Sequence, residues 1–308
     1  MSDLQHCRLT LGPLLFNWQA DVWRDFYFRV ADEGPFDTVY IGEVICAKRA
    51  PFFEPHLADV VARLQAAGKT VILSSLAQVM HPYDRKLIDA TCASDDFLVE
   101  VNDASALYKL SGQPFHAGPF LNIYNERTLA RLVTHGAANI CLPTELPKSA
   151  IEVLGKAAAA HSLSLETQIF GRMSLALSAR CYHARAHGRT KDSCQFVCER
   201  DADGMDLATM DKNMFLAING IQTMSHEFLN LAGELEQLAS LGVSRFRLSP
   251  HSCDMIAVAN AFQDQLEGRT SASETLDAIC RAGVNTPFAN GFFHHQPGFR
   301  WLQPAAPI

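Results

Sequence analysis

No stretch of this chain approaches the ~18 consecutive apolar residues that a membrane-spanning helix needs. The apolar segment from Leu9 to Phe16 is short and broken by Gly12-Pro13, and the opening Met1-Ser2-Asp3-Leu4 has no basic cluster. The reading is therefore no membrane span, no signal peptide and a cytoplasmic location. Charge is also scarce: 19 % of the 308 residues are charged, below the usual ~25 %, and the net charge is −7. An acidic balance gives no support to unassisted binding of nucleic acid or anionic membrane. Several catalytic signatures are missing as well. No G-x-G-x-x-G follows the early strands, so dinucleotide binding has no support. No G-x-S-x-G marks a nucleophile elbow, no H-E-x-x-H marks a zinc protease, and the C-x3-C-x2-C of radical enzymes is absent.

What remains is a globular composition, 48 % hydrophobic, at the upper size for one core of roughly 250–300 residues. Short β-branched runs alternate with amphipathic stretches. Candidate strands are Cys7–Leu11, Thr38–Ile41, Thr70–Ser74, Phe97–Val101, His116–Ile123, Asn139–Leu142, Leu163–Phe170 and Ser244–Leu248. Helical patterns lie between them at Pro55–Ala67, Ala104–Leu110, Glu126–His135 and Lys148–His161. Glycines 68, 112 and 136 stand where helix C-termini want them, and Asn125 stands where an N-cap belongs. Eight such strands favour an α/β fold of (β/α)8 barrel type over an open doubly wound sheet, which stays the alternative. The expected organisation is a single barrel domain over 1–308, with an excursion at 181–210 and an irregular C-terminal wrap at 285–308. The helix around Met255–Phe262 reads as core.

Nine cysteines, an odd number at irregular spacing, argue against a disulfide framework. Cys181, Cys194 and Cys198 fall within eighteen residues of polar chain, spaced C-x12-C-x3-C. The last two, four apart, would share one face of a helical turn. Cys46, just after the second strand, is the best fourth ligand, because post-strand segments gather at a barrel's C-terminal face. Structural zinc prefers paired knuckles, and only one pair exists here, so an iron–sulfur cluster is favoured over zinc, with unliganded cysteines the remaining reading. His183 and His187 flank Cys181 without a diagnostic carboxylate, and His81 lacks context for catalysis. Glu43, His116 and Asn122 are the catalytic candidates, followed by Glu100, Asn102 and Asn125 at expected strand ends. Arg172 and Arg180 are candidate cations for offsetting the charge of a thiolate cluster.

The run from Glu166 to Cys181, with Gly171-Arg172-Met173 and Ser178-Ala179-Arg180-Cys181, resembles the signature of the U32 peptidase-like family. Gly42-Glu43-Val44-Ile45-Cys46, Asn122-Ile123-Tyr124-Asn125, Lys191 to Cys198 and Asn290-Gly291-Phe292 add to the likeness. It spans nearly the whole chain and points within the family to the branch serving oxygen-independent ubiquinone biosynthesis. The resemblance implies a [4Fe–4S] cluster on Cys46, Cys181, Cys194 and Cys198. It implies work as a heterodimer with a UbiU-like homologue, assisted by a sterol-carrier-like lipid-binding protein, in O2-independent ring hydroxylation. A polyprenylated quinone precursor and prephenate are the implied substrates. Other implied roles are a U32 peptidase, a tRNA or rRNA hydroxylation protein, or a non-catalytic iron–sulfur subunit. Gln168 to Met173 departs from the more His- and Ala-rich stretch of the peptidase members, which weighs against proteolysis.

Overall fold

The computed structural model describes residues 3–303. Seven strands, each followed by a connection over the outside, run in order around a barrel: β1 Arg8–Leu11, β2 Thr38–Ile41, β3 Thr70–Ser74, β4 Val99–Val101, β5 Phe115–Ala117, β6 Ala137–Leu142 and β7 Ser164–Leu177. The connecting helices are α1 Ala20–Glu33, α2 Ala50–Ala66, α3 Pro82–Cys92, α4 Ala104–Lys109, α5 Glu126–His135 and α6 Lys148–Ala160. Every neighbouring pair of these strands is parallel. The eighth barrel strand lies far along the chain, at Val243–Leu248, and pairs in parallel with both β7 and β1. The barrel is closed, a (β/α)8 architecture.

Between β7 and that strand lies the excursion. It contains α7 Tyr182–Ala186 and the antiparallel strands β8 Met205–Ala208, β9 Met214–Asn219 and β10 Gln222–Asn230. α8 Leu235–Ser240 leads into the closing strand, which becomes β11. α9 Met255–Leu266 and α10 Ala272–Arg281 follow, and β12 Phe288–Ala289 adds in parallel to β10. The tail is thus partly ordered into the sheet; its last residues, 304–308, lie outside the described residues.

Local chemistry explains these boundaries. Asn125 caps α5 by accepting from Thr128 N–H at 2.9 Å, and Gly136 ends it at φ 112°, where a side chain would be strained. β5 stops at Ala117 and does not extend to Ile123, because Pro119 cannot donate to a ladder and opens a short 3-10 turn. α2 begins at Ala50, five residues before the expected Pro55, because Pro51 occupies the first turn, where a missing N–H costs nothing. β7 overruns its expected end. Its first half pairs with β6 and β11, and from Phe170 to Leu177 it pairs antiparallel with β10. The change of partner happens at Gly171, φ 106°, where a Cβ would lie 2.7 Å from His251 Nε2.

α9 buries Met255, Ile256, Val258, Ala259, Ala261 and Phe262, as the core reading expected. The barrel axis is different, since β-strands here point polar side chains inward. Thr10, Tyr40, Ser74, Glu100, His116, Asn139, Glu166 and Arg247 are all buried. Barrel interiors are usually filled by Val, Ile and Leu, so this one is held by a hydrogen-bonded network. No helix among the described residues is long and apolar enough to cross a membrane.

Candidate functional site

Two places at the C-terminal end of the barrel carry chemistry, joined by a hydrogen bond from Arg49, which lines one, to Leu15, which lines the other. The first is a pocket lined by Cys46, Cys181, Cys194 and Cys198, together with Arg49 and His183. The structure therefore brings the four cysteines singled out in the sequence to one place. Each arrives by a different local device.

Cys46 follows β2 through a turn shaped by Glu43, whose buried carboxylate accepts from Ile45 N–H and Cys46 N–H, both at 2.8 Å. Burial pushes the Glu43 carboxyl up, against the pull of Arg49. Glu43 thus braces the cysteine loop. Gly42 makes the turn possible: at φ 137° its missing Cβ would lie 2.6 Å from Ser74 O. Cys181 caps α7, its sulfur accepting from Ala184 N–H at 3.4 Å. Between Cys194 and Cys198 the chain is not the expected helical turn. Gln195 and Phe196 take left-handed φ values of 50° and 52°, a conformation that non-glycine residues hold only where surroundings impose it. The surroundings are visible. Phe196 packs edge-on against Phe52 at 4.7 Å, Lys48 Nζ donates to Lys191 O at 2.8 Å, and Trp18 Nε1 donates to Ala202 O at 2.7 Å.

Arg49, unremarked in the sequence, is the decisive neighbour. It is 1 % exposed, donates from Nη1 to Leu15 O at 2.9 Å and from Nη2 to Asn219 Oδ1 at 3.0 Å, and its Nε has no hydrogen-bond partner among the described residues. Burial alone would lower its pKa, but Cys198, Glu43 and Cys46 together raise it, so the guanidinium stays charged. A buried cation needs an anion, and the groups facing it are the Glu43 carboxyl and the Cys46 and Cys198 sulfurs, which become anionic only once deprotonated. Arg172 and Arg180 do not take this place. Arg172 is committed to Asp203 O and Ser225 O, both at 2.9 Å, and Arg180 is exposed.

Burial pushes the Cys46 and Cys181 thiols up. An inserted metal centre would reverse this, since coordination draws the protons off. Among the described residues no three of His, Cys, Asp and Glu stand close enough to grip one ion. A single zinc at ~2.3 Å from each sulfur needs its sulfurs roughly 4 Å apart, so the pocket would have to contract around it. A multi-iron cluster gives each thiolate its own iron and takes ligands set further apart. With the buried guanidinium beside Cys198, the residues fit such a net-anionic group. His183 is buried at the rim, its Nε2 2.8 Å from Asp201 Oδ2 and burial lowering its pKa. His187 lies behind it, Nδ1 3.1 Å from His183 O. His81 is at the start of α3, where its N–H donates to Asp84 Oδ2 at 2.9 Å.

The second place is the barrel mouth, a cavity of about 350 Å³. Glu100, Gln168 and Arg247 line its polar side, and Leu15, Phe120 and Tyr124 its apolar side. Asn122 lines it too, in left-handed conformation at φ 55°. Beneath it lies the axial network. Arg247 Nη1 is 2.7 Å from Glu100 Oε1, and its Nε donates to Glu166 Oε1 at 2.9 Å. Burial alone would raise the Glu166 pKa; Arg247 overrides this and holds it at about 2. Tyr40 donates its only hydroxyl proton to Glu166 Oε2 at 2.6 Å. His116 Nδ1, 2.9 Å from the same Tyr40 oxygen, must therefore carry hydrogen and donate. Burial lowers the His116 pKa to about 4, so the ring is neutral and belongs to the network below the mouth. Asn102 donates to Ser75 O at 3.1 Å and Glu100 Oε2 at 3.2 Å. Asn125 is a helix cap only.

The sequence profile of peptidase family U32 matches residues 26–303. The chain belongs to the U32 peptidase family. Solved structures with similar folds are remote. One is a putative fructose-1,6-bisphosphate aldolase from Coccidioides immitis, 10 % identical, covering 91 % of this chain and 88 % of that one, TM-score 0.43. Another is a dihydropteroate synthase from Xanthomonas albilineans, 12 % identical, covering 90 % and 95 %, TM-score 0.43. A putative galactarate dehydratase of enolase type from Agrobacterium radiobacter is 16 % identical, covering 52 % of this chain and only 45 % of its own, TM-score 0.33.

Proposed function

We propose that this U32 member is the iron–sulfur subunit of an O2-independent ring hydroxylase, of the UbiV-like branch serving ubiquinone biosynthesis. The observation that carries the reading is the gathering of Cys46, Cys181, Cys194 and Cys198 around the buried Arg49. These four residues would hold a [4Fe–4S] cluster, which when bound supplies one-electron redox chemistry. Around it the chain's own parts have definite tasks. Glu43 fixes the Cys46 loop, Lys48 and Phe52 hold the excursion down, and Arg49 supplies positive charge where four thiolates would otherwise repel.

The partner and substrates come from the family likeness: a UbiU-like homologue in a heterodimer, a sterol-carrier-like lipid-binding protein, a polyprenylated quinone precursor and prephenate as oxygen donor. Anaerobic purification with iron and sulfide assay and an absorption spectrum tests the cluster. About four irons per chain and a brown protein are expected. A colourless protein holding one zinc would overturn the reading.

A further inference from the structure

The excursion that carries three of the pocket cysteines is basic in an acidic chain. Residues 178–200 hold five Lys and Arg against two Asp and Glu, whereas the whole chain holds 26 against 33. Arg180, Arg185 and Arg200 are exposed, Arg189 and Lys191 half-buried, and none of the five forms an ion pair among the described residues. Each sits beside the pocket. Arg180 adjoins Cys181, and Arg185 lies on α7, which Cys181 caps. Arg189 donates to Gln195, between Cys194 and Cys198, while Lys191 lines the pocket and Arg200 ends the turn that contains Cys198. Nearby carboxylates do not cancel this charge. Asp192 lies 3.9 Å from Lys48, Asp201 is held by His183, and Asp84 accepts from the N–H groups of Met80 and His81, which leaves the exposed Glu199.

Exposed cations do little for a charge inside the pocket, because water and salt screen them; Arg49 already serves it from within. They act outward, on an anionic partner. A long polyanion such as RNA would run past this face onto an acidic remainder, and cations this exposed give a small anion no enclosed seat. A compact acidic protein matches a local basic patch. Exposed rings supply the apolar contact of such an interface: Tyr182 follows Cys181, Phe52 packs on Phe196, and Tyr83 lies within electrostatic reach of Cys46 and Cys194. All four pocket cysteines are only half-buried, so a protein docked here comes close to whatever they hold.

We propose that the basic rim of the cysteine pocket docks an acidic one-electron carrier protein. This rests on the cluster reading of the pocket. One electron leaves the reduced carrier and enters the group held by the cysteines, and no atom or proton is transferred.

Stopped-flow mixing of the anaerobically purified, iron-loaded protein, alone and with its UbiU-like homologue, against reduced acidic [2Fe–2S] ferredoxin or reduced flavodoxin tests it, with fluorescence anisotropy of the labelled carriers reporting binding. The second-order rate should fall about tenfold or more between roughly 50 and 500 mM NaCl. Combined Arg180→Glu and Arg185→Glu should weaken binding and slow transfer about tenfold or more, while iron content and the EPR spectrum of dithionite-reduced protein stay those of wild type. Neither side chain lines the pocket. The same charge change at the exposed Arg127 and Arg131 of α5, which packs against β6 and α6, should alter neither quantity more than about twofold. Protein without iron would overturn this proposal and the cluster reading together. Iron-loaded protein that binds neither carrier, transfer indifferent to salt, equal loss in the α5 variant, tighter binding of poly(U) RNA than of either carrier, or a homologue that abolishes carrier binding by covering the rim would each overturn this proposal alone.

Discussion

Arg49 Nη1 donates to the carbonyl of Leu15 at 2.9 Å, and Leu15 is itself a wall of the barrel mouth. One guanidinium therefore lines the cysteine pocket and bonds a residue that lines the mouth cavity. Asn219 Nδ2 donates to the same Leu15 oxygen at 2.7 Å, fixing it from β9.

If Arg49 balances an anionic cluster, changing it should move the redox equilibrium as well as weaken iron binding. Arg49→Gln is expected to disfavour the reduced, more negative state by about tenfold, roughly 60 mV for one electron, with Arg49→Lys shifting it less. An EPR-monitored potential titration checks this. Equal potentials in wild type and Arg49→Gln would reduce Arg49 to a packing residue.

The proposed cluster divides the cysteines into expected ligands and bystanders. Alanine at Cys46, Cys181, Cys194 or Cys198 should strip or destabilise the cluster. Alanine at Cys92, Cys141, Cys253 or Cys280, none of which lines the pocket, should leave iron intact at a packing cost of ~1 kcal/mol. Iron-to-protein ratios of the eight variants decide it. Full iron in Cys46→Ala would remove Cys46 from the ligand set.

Acid should destabilise the barrel in two steps. His116 titrates near 4 in the fold against 6.5 when free, so as pH falls from 6.5 to about 4 the unfolded chain takes up a proton the fold refuses. That limb is on the order of 3 kcal/mol at most. Glu166, at about 2 against 4.5, stabilises the fold above pH 4.5 and loses that contribution between 4.5 and about 2. Urea midpoints measured across pH should fall in both windows. His116→Asn should flatten the upper limb alone, and an unchanged upper limb in that variant would assign it to another group.

Partnership is testable by co-expression with the UbiU-like homologue. A 1:1 complex with more iron retained per chain than the isolated protein is expected by size exclusion and iron assay. A monodisperse lone chain that hydroxylates a quinone precursor unaided would refute the need for a partner.

The barrel strands were legible because parallel strands buried on both faces read as short apolar runs between capped helices. α1 was missed, although Trp23, Tyr27, Val30 and Ala31 follow helical spacing, because its aromatic content resembles strand composition. The β9–β10 hairpin was missed despite Asn219-Gly220, a dipeptide that favours tight turns between strands. At the site, Cys181, Cys194 and Cys198 could be grouped by spacing and Cys46 added by its place after the second strand, while Arg49 and Arg247 passed unnoticed. Arg245 and Arg247 do alternate within Ser244–Leu248, and charge on a strand covered by helices must face the axis and find partners there. Arg49 carried no pattern at all; only tertiary structure brings Asn219 and Leu15 to it.

The inward charges also decide how the closing strand aligns. β11 sets Arg247 beside Thr10 on one neighbour and Gln168 on the other. Sliding it by a single residue would exchange its two faces, turning Phe246 and Leu248 toward the axis and Arg247 toward the helices. Glu100 and Glu166 would then stand buried with no cation between them, an error costing several kcal/mol. A hydrophobic axis would tolerate such a misthreading far more readily, so the Arg–Glu cluster works as a proofreading device for barrel closure.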